Sequence, residues 1–157
     1  MTELPRVVTT VLLAALATAA VAQHPGTYDA PDRDARLIAG AKKEGALVMY
    51  TSGQADDFNV LAKAFEQKYG VKVTMWRSGS ENVLQRALTE ARGGRYAVDV
   101  VETNGPELEM LQREGLEQAV KSPHLADIIP EAKQPHGEWV GTRLNVYALA
   151  YNTKAVK

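Results

Sequence analysis

The sequence predicts an α/β fold with a mostly parallel sheet flanked by helices, and three features of its pattern predict it. Short apolar runs at Leu47-Val48-Met49-Tyr50, Val71 to Trp76 and Val98 to Val101 start about every 25 residues, the spacing that crossover helices between parallel strands require. Helical patterns fill the intervals. Each run then breaks off into small polar residues: Tyr50-Thr51-Ser52-Gly53, Arg77-Ser78-Gly79-Ser80 and Glu102-Thr103-Asn104-Gly105-Pro106. In an open α/β sheet such loops share the carboxyl edge of the strands, where ligands bind.

Asp32 or Asp34 can cap a short first helix through Leu37, Ile38 and Ala41, which Gly45 stops. Leu47 to Tyr50 is apolar throughout, as in a strand covered on both faces. In the next helix Phe58, Leu61, Phe65 and Tyr69 form one stripe, and Gly70 supplies a left-handed cap. Val71, Val73 and Met75 alternate with Lys72, Thr74 and Trp76, which predicts a strand with one polar face, towards the sheet edge. Leu84, Ala87, Leu88 and Ala91 mark a further helix that stops at Gly93-Gly94. Val98 to Val101 is a third buried strand, and Pro106 opens a helix with Leu108, Leu111 and Leu116 inward.

Ser122 to Glu138 is dotted with Pro and His and reads as loop, with one short helix near Leu125 to Ile129. Leu144, Val146, Ala148 and Ala150 then alternate with Asn145, Tyr147, Leu149 and Tyr151, which predicts a long final strand ending at Asn152-Thr153-Lys154.

The 157 residues suffice for one domain with a core. With 18 basic against 19 acidic residues the formal charge is −1, no field for nucleic acid or an anionic membrane. The absence of cysteine excludes disulfides, thiolate metal sites and a lipid-modified cysteine. Val7 to Val21 is alanine-rich and apolar and closes on Ala20-Val21-Ala22, so residues 1–22 read as a signal peptide with Gln23 starting the mature chain. An uncleaved amino-terminal anchor is the alternative. Residues 23–34, rich in Pro, Gly and Asp, read as a flexible leader.

Several short motifs, in order, resemble one family: Ala41-Lys42-Lys43-Glu44-Gly45, the strand ending Tyr50-Thr51-Ser52, Phe65-Glu66 with Tyr69-Gly70-Val71-Lys72-Val73, Leu84-Gln85-Arg86 with Thr89-Glu90, Val98-Asp99-Val100-Val101 with Thr103-Asn104, and Tyr151-Asn152-Thr153-Lys154. They are similar to the extracellular solute-binding proteins of ABC importers, near the iron(III)-type branch. The resemblance implies a periplasmic-binding-protein-like (type II) fold: a two-lobed clamp that closes on solute in the interlobe cleft and presents it to a membrane ABC permease. It also implies a periplasmic location and a full-length monomer. In that scheme residues 35–157 are the first lobe, the final strand crosses towards a second lobe that is absent, and the chain is a fragment.

Candidate solute-binding residues follow from the loops. Ser78 and Ser80 precede a helix whose amides and dipole suit an anion, although Ser80 serves equally as a plain cap. Arg77 can pair with a carboxylate or phosphate, and Arg143 with Asn145 can join it from the final strand. Thr51, Ser52, Thr103 and Asn104 offer hydroxyls and an amide, with turn formation as their other role. Tyr50 is either a cleft wall, a metal ligand or a buried strand residue.

The iron-binding relatives carry a histidine after the first strand and a glutamate after the third; here these positions fall near Gln54 to Asp56 and on Asn104. Mostly neutral donors suit bare Fe(III) poorly. His24, His124 and His136 read as surface residues, while Trp76 and Trp139 read as packing.

The expected solute is therefore iron(III), a ferric chelate, or a small oxyanion or carboxylate, with no cofactor. An α/β ligand-sensing input domain is the second reading. An enzyme is the third, disfavoured by the missing Gly-x-Ser-x-Gly elbow, Walker loop and Gly-x-Gly-x-x-Gly.

Overall fold

A computed structural model describes residues 25–146 and 148–156. The signal-peptide reading for residues 1–22 therefore lies outside the described residues. Helix α1 (Arg33–Glu44) ends at Gly45 in the left-handed conformation at φ 76°. Strand β1 (Ala46–Thr51) follows, then α2 (Ala55–Tyr69), which Gly70 closes at φ 71°. Strand β2 (Lys72–Arg77), α3 (Ser80–Arg92), β3 (Val100–Glu102) and α4 (Gly105–Arg113) complete the regular structure, with short 3-10 turns at Pro25–Thr27, Pro123–Asp127 and Pro130–Ala132. Glycine is needed at both helix ends because a side chain strains a positive φ.

The sheet runs β2-β1-β3, all parallel, so the most apolar strand is central and β2 lies at an edge as its polar face predicts. Thr51 is level with Arg77 on one side and Glu102 on the other. This register brings the three strand ends to one line. Strand β3 starts two residues later than the apolar run suggests. The reason is Asp99, whose carboxylate accepts the Val48 amide at 2.7 Å while its own amide donates to Val48 O.

The core sits on one face. Leu84, Ala87, Leu88, Leu108 and Leu111 of α3 and α4 form a buried cluster, with Val101, Leu116 and Trp139 packed against it. Alternation along β1 sends Tyr50 to this face and Thr51 to the other. On the other face α1 and α2 contact each other but contribute no fully buried residue.

The described part of the leader touches the body of the fold: Lys121 N donates to Gly26 O at 2.7 Å, and Arg33 Nη2 donates to Lys121 O at 2.7 Å. One expectation is corrected. The long final strand does not form among the described residues. Leu144, Val146 and Leu149 are 74, 87 and 94 % exposed in irregular chain. Alternating side chains describe a strand, but a strand exists only when a neighbour takes its N–H and C=O groups, and among the described residues none does. The ladder contact nearest to it is an antiparallel bridge between Lys133 and Val140.

Candidate solute-binding edge

Glu102 is the hub of the edge. Its Oε2 accepts from the hydroxyl of Thr51, which is fully buried, and from Gly53 N at 3.1 Å, while Arg143 Nη2 lies 3.2 Å from Oε1. Gly53 N also donates to Thr51 Oγ1 at 2.9 Å, and Gly53 O accepts from Arg77 Nε at 2.7 Å. A Cβ at Gly53 would stand 2.2 Å from the Phe58 ring of α2. Glycine lets the loop pass between that ring and the Glu102 carboxylate without displacing either.

A second chain of hydrogen bonds runs beside the first. Asn104 Nδ2 donates to Ser80 Oγ at 3.0 Å, and Asn145 Nδ2 donates to Asn104 Oδ1 at 3.5 Å. Ser78 N donates to Thr51 O at 3.1 Å, and Ser78 Oγ accepts from Asn82 at 3.1 Å. Ser52 N donates to Glu102 O at 2.9 Å. The cap position before α3 is Gly79, not Ser80, so the Ser80 hydroxyl is available to Asn104.

The edge thus gathers Thr51, Ser52, Arg77, Ser78, Ser80, Asn104, Arg143 and Asn145. Thr103 stands between Glu102 and Asn104, its Oγ1 buried and without a partner among the described residues. Tyr50 is not with them. It is buried in the core, its hydroxyl donates to Glu90 Oε2 at 2.8 Å, and its ring meets Trp76 edge-on at 5.1 Å. Arg86 lies over both rings, at 4.5 and 4.4 Å, and donates to Glu90 at 3.0 Å. Burial, then the bond to Glu90, holds the Tyr50 hydroxyl above its ordinary pKa.

Sequence reasoning passed over Glu102 and Gly53 as members of the site. The signal for Glu102 is a carboxylate closing an apolar strand, which parallel register sets beside Thr51. Chemically, the edge offers guanidinium, hydroxyl and amide groups, and its carboxylate is already paired with Arg143. Among the described residues no group of three His, Cys, Asp or Glu side chains could hold a metal ion.

Parallel strands that end level in this way define the α/β class whose loops share one rim, the place where open sheets of this kind bind ligands. The model of the bacterial extracellular solute-binding protein family matches residues 51–157, and the chain belongs to that family. No curated protein matches it in sequence.

Among solved structures, iron-bound HitA from Pseudomonas aeruginosa is 29% identical with a TM-score of 0.56, over 61% of this chain and 31% of its own. The Trichodesmium protein IdiA (FutA), in complex with iron and citrate ligands, is 25% identical with a TM-score of 0.54, over 62% of this chain and 31% of its own. The ferric binding protein from Campylobacter jejuni shares the fold at 23% identity and a TM-score of 0.53, over 60% of this chain and 30% of its own. The chain spans about a third of the length of these proteins.

Proposed function

We propose that this chain is the first lobe of the solute-capture subunit of an ABC importer, exported to the periplasm through residues 1–22 and working with a membrane permease. Its solute is an anion: a small carboxylate or oxyanion, or iron(III) carried as an anionic chelate. Arg77, Ser78, Ser80, Asn104, Arg143 and Asn145 are its contacts, while the fully buried Thr51 holds Glu102 in place beneath them. One observation carries the reading. The edge converges hydroxyls, amides and two arginines, and its carboxylate is held by Thr51, Gly53 and Arg143. Cationic and neutral donors favour an anion and leave bare Fe(III) short of charged oxygen ligands. The iron-bound state of HitA and the iron and citrate ligands of the Trichodesmium protein support ferric chelates as the first to try.

Capture without transformation follows from the same groups, since they hydrogen-bond and neutralise, and the hydroxyl that does meet a carboxylate, Thr51 on Glu102, is fully buried and out of a solute's reach. A clamp gains most of its affinity on closure, which a single lobe cannot supply. Titration of the chain with citrate, ferric citrate and phosphate should therefore give weak binding, about millimolar. For the two diamagnetic anions, NMR shifts should be confined to Ser78, Ser80, Asn104 and Asn145. Micromolar affinity by calorimetry would refute the one-lobe reading, and shifts located elsewhere would refute the site.

A further inference from the structure

Away from the strand ends, titratable side chains converge between α4 and the segment that leads to Arg143. Glu109 of α4 accepts at Oε1 from Trp139 Nε1 at 3.2 Å and from His136 Nε2 at 3.4 Å. The Glu138 amide donates to His136 Nδ1 at 3.1 Å, which makes Nδ1 the acceptor and leaves the ring proton on Nε2, facing Glu109. Glu117, just beyond α4, has Oε2 buried without a hydrogen-bond partner among the described residues. It lines the same cleft as Glu138 and Trp139, and three residues on, Val120 N donates to Gly137 O at 3.1 Å, which ties this stretch to the loop; the charges that act on it are the carboxylates of Glu138 and Glu109. Trp139 packs against the Leu84, Leu88, Leu108 and Leu111 cluster, so the loop is anchored in the core at one point and by polar contacts at the others.

We propose that Glu117, with Glu109, Glu138 and His136, is a proton-operated latch that seats residues 136–139 against α4 when Glu117 is neutral and loosens them when it ionises. Ionised, it would put three carboxylates around one loop. Burial, then the like charges of Glu138 and Glu109, pushes the Glu117 carboxyl from 4.5 up to about 7. A carboxyl raised in the folded state gives its full stabilisation below its unfolded value and loses it as pH climbs through the folded one. The seated form therefore dominates below neutrality. The same segment continues into Arg143 and Asn145, so mildly alkaline conditions slacken that wall of the edge. That last consequence alone rests on the transport reading.

Trp139 is its own reporter once Trp76→Phe silences the other tryptophan. Its emission in the full chain, followed from about pH 5.5 to about 8.5, should change with a midpoint of about 7. Glu117→Gln should hold the acid-form emission throughout, Glu138→Gln should lower the midpoint, and His136→Asn should leave the transition in place. A flat profile in the Trp76→Phe chain, an unmoved midpoint in Glu117→Gln, or loss of the transition in His136→Asn overturns the proposal. Should Glu117→Gln fail to fold by circular dichroism, Glu138→Gln decides alone, and an unmoved midpoint there overturns it. No solute enters this measurement, so its outcome is separate from that of the binding titration.

Discussion

The two faces of the sheet are built to different standards. On one, α3 and α4 bury Val83, Leu84, Ala87, Leu88, Leu108 and Leu111, and Tyr50, Glu90, Arg86 and Trp76 form a hydrogen-bonded, stacked group beside them. On the other, α2 carries an equally regular stripe, yet Leu61 remains 60 % exposed. The difference lies in what each helix is given to cover. Leu61 and Phe58 border the same open cleft as Met49 and Val100, beyond the outer edge of the three-residue strand β3. An amphipathic stripe buries only where the sheet beneath it is wide enough.

That comparison is breakable by substitution. Leu84→Ala or Leu111→Ala should cost about 2–5 kcal/mol in denaturant unfolding, whereas Leu61→Ala should stay within about 0.5 kcal/mol. Equal losses on the two faces would contradict the account. Next in size, Glu102→Ala strands the buried Thr51 hydroxyl, leaves Gly53 N with Thr51 Oγ1 as its remaining acceptor and unpairs Arg143, and should lower stability by about 1–3 kcal/mol. Glu102→Gln, which keeps an acceptor oxygen, should lose less, and the reverse ranking would remove Glu102 from the centre of the edge.

The smallest effect is an acid limb. Burial raises the Glu90 carboxyl, but hydrogen bonds from Tyr50 and Arg86 and the charges of Arg86 and Arg95 outweigh it, so its pKa lies below the ordinary 4.5. Its stabilisation is therefore complete above about 4.5 and is lost as pH falls through the depressed value. Glu90→Gln should flatten the stability profile over that acid window. An unchanged profile would show that the α3 face owes nothing to this charge.

Much of the fold is legible in local signals: glycines that need positive φ at residues 45 and 70, an all-apolar central strand, and a half-polar edge strand. The strand-end loops are legible too, because parallel topology sends every one of them to the same side. What escapes is what depends on partners far along the chain. The alternation over residues 144–151 carries no statement of which strand would pair with it. Tyr50 reads the same whether its hydroxyl meets a solute or Glu90. Glu102 becomes central only through the register that sets it level with Thr51, and the latch around Glu117 requires residues that lie 8 and 21 positions away in sequence to meet it.

The crowding at Gly53 divides what can change from what cannot. The main chain after β1 is committed inward: Ser52 N and Gly53 N donate to Glu102, and Gly53 O accepts from Arg77. Those three main-chain groups are therefore spent within the fold. Replacements at positions such as 143 and 145 change the side chains of the edge while the scaffold stays fixed, whereas any side chain at residue 53 would stand 2.2 Å from the Phe58 ring and must displace it.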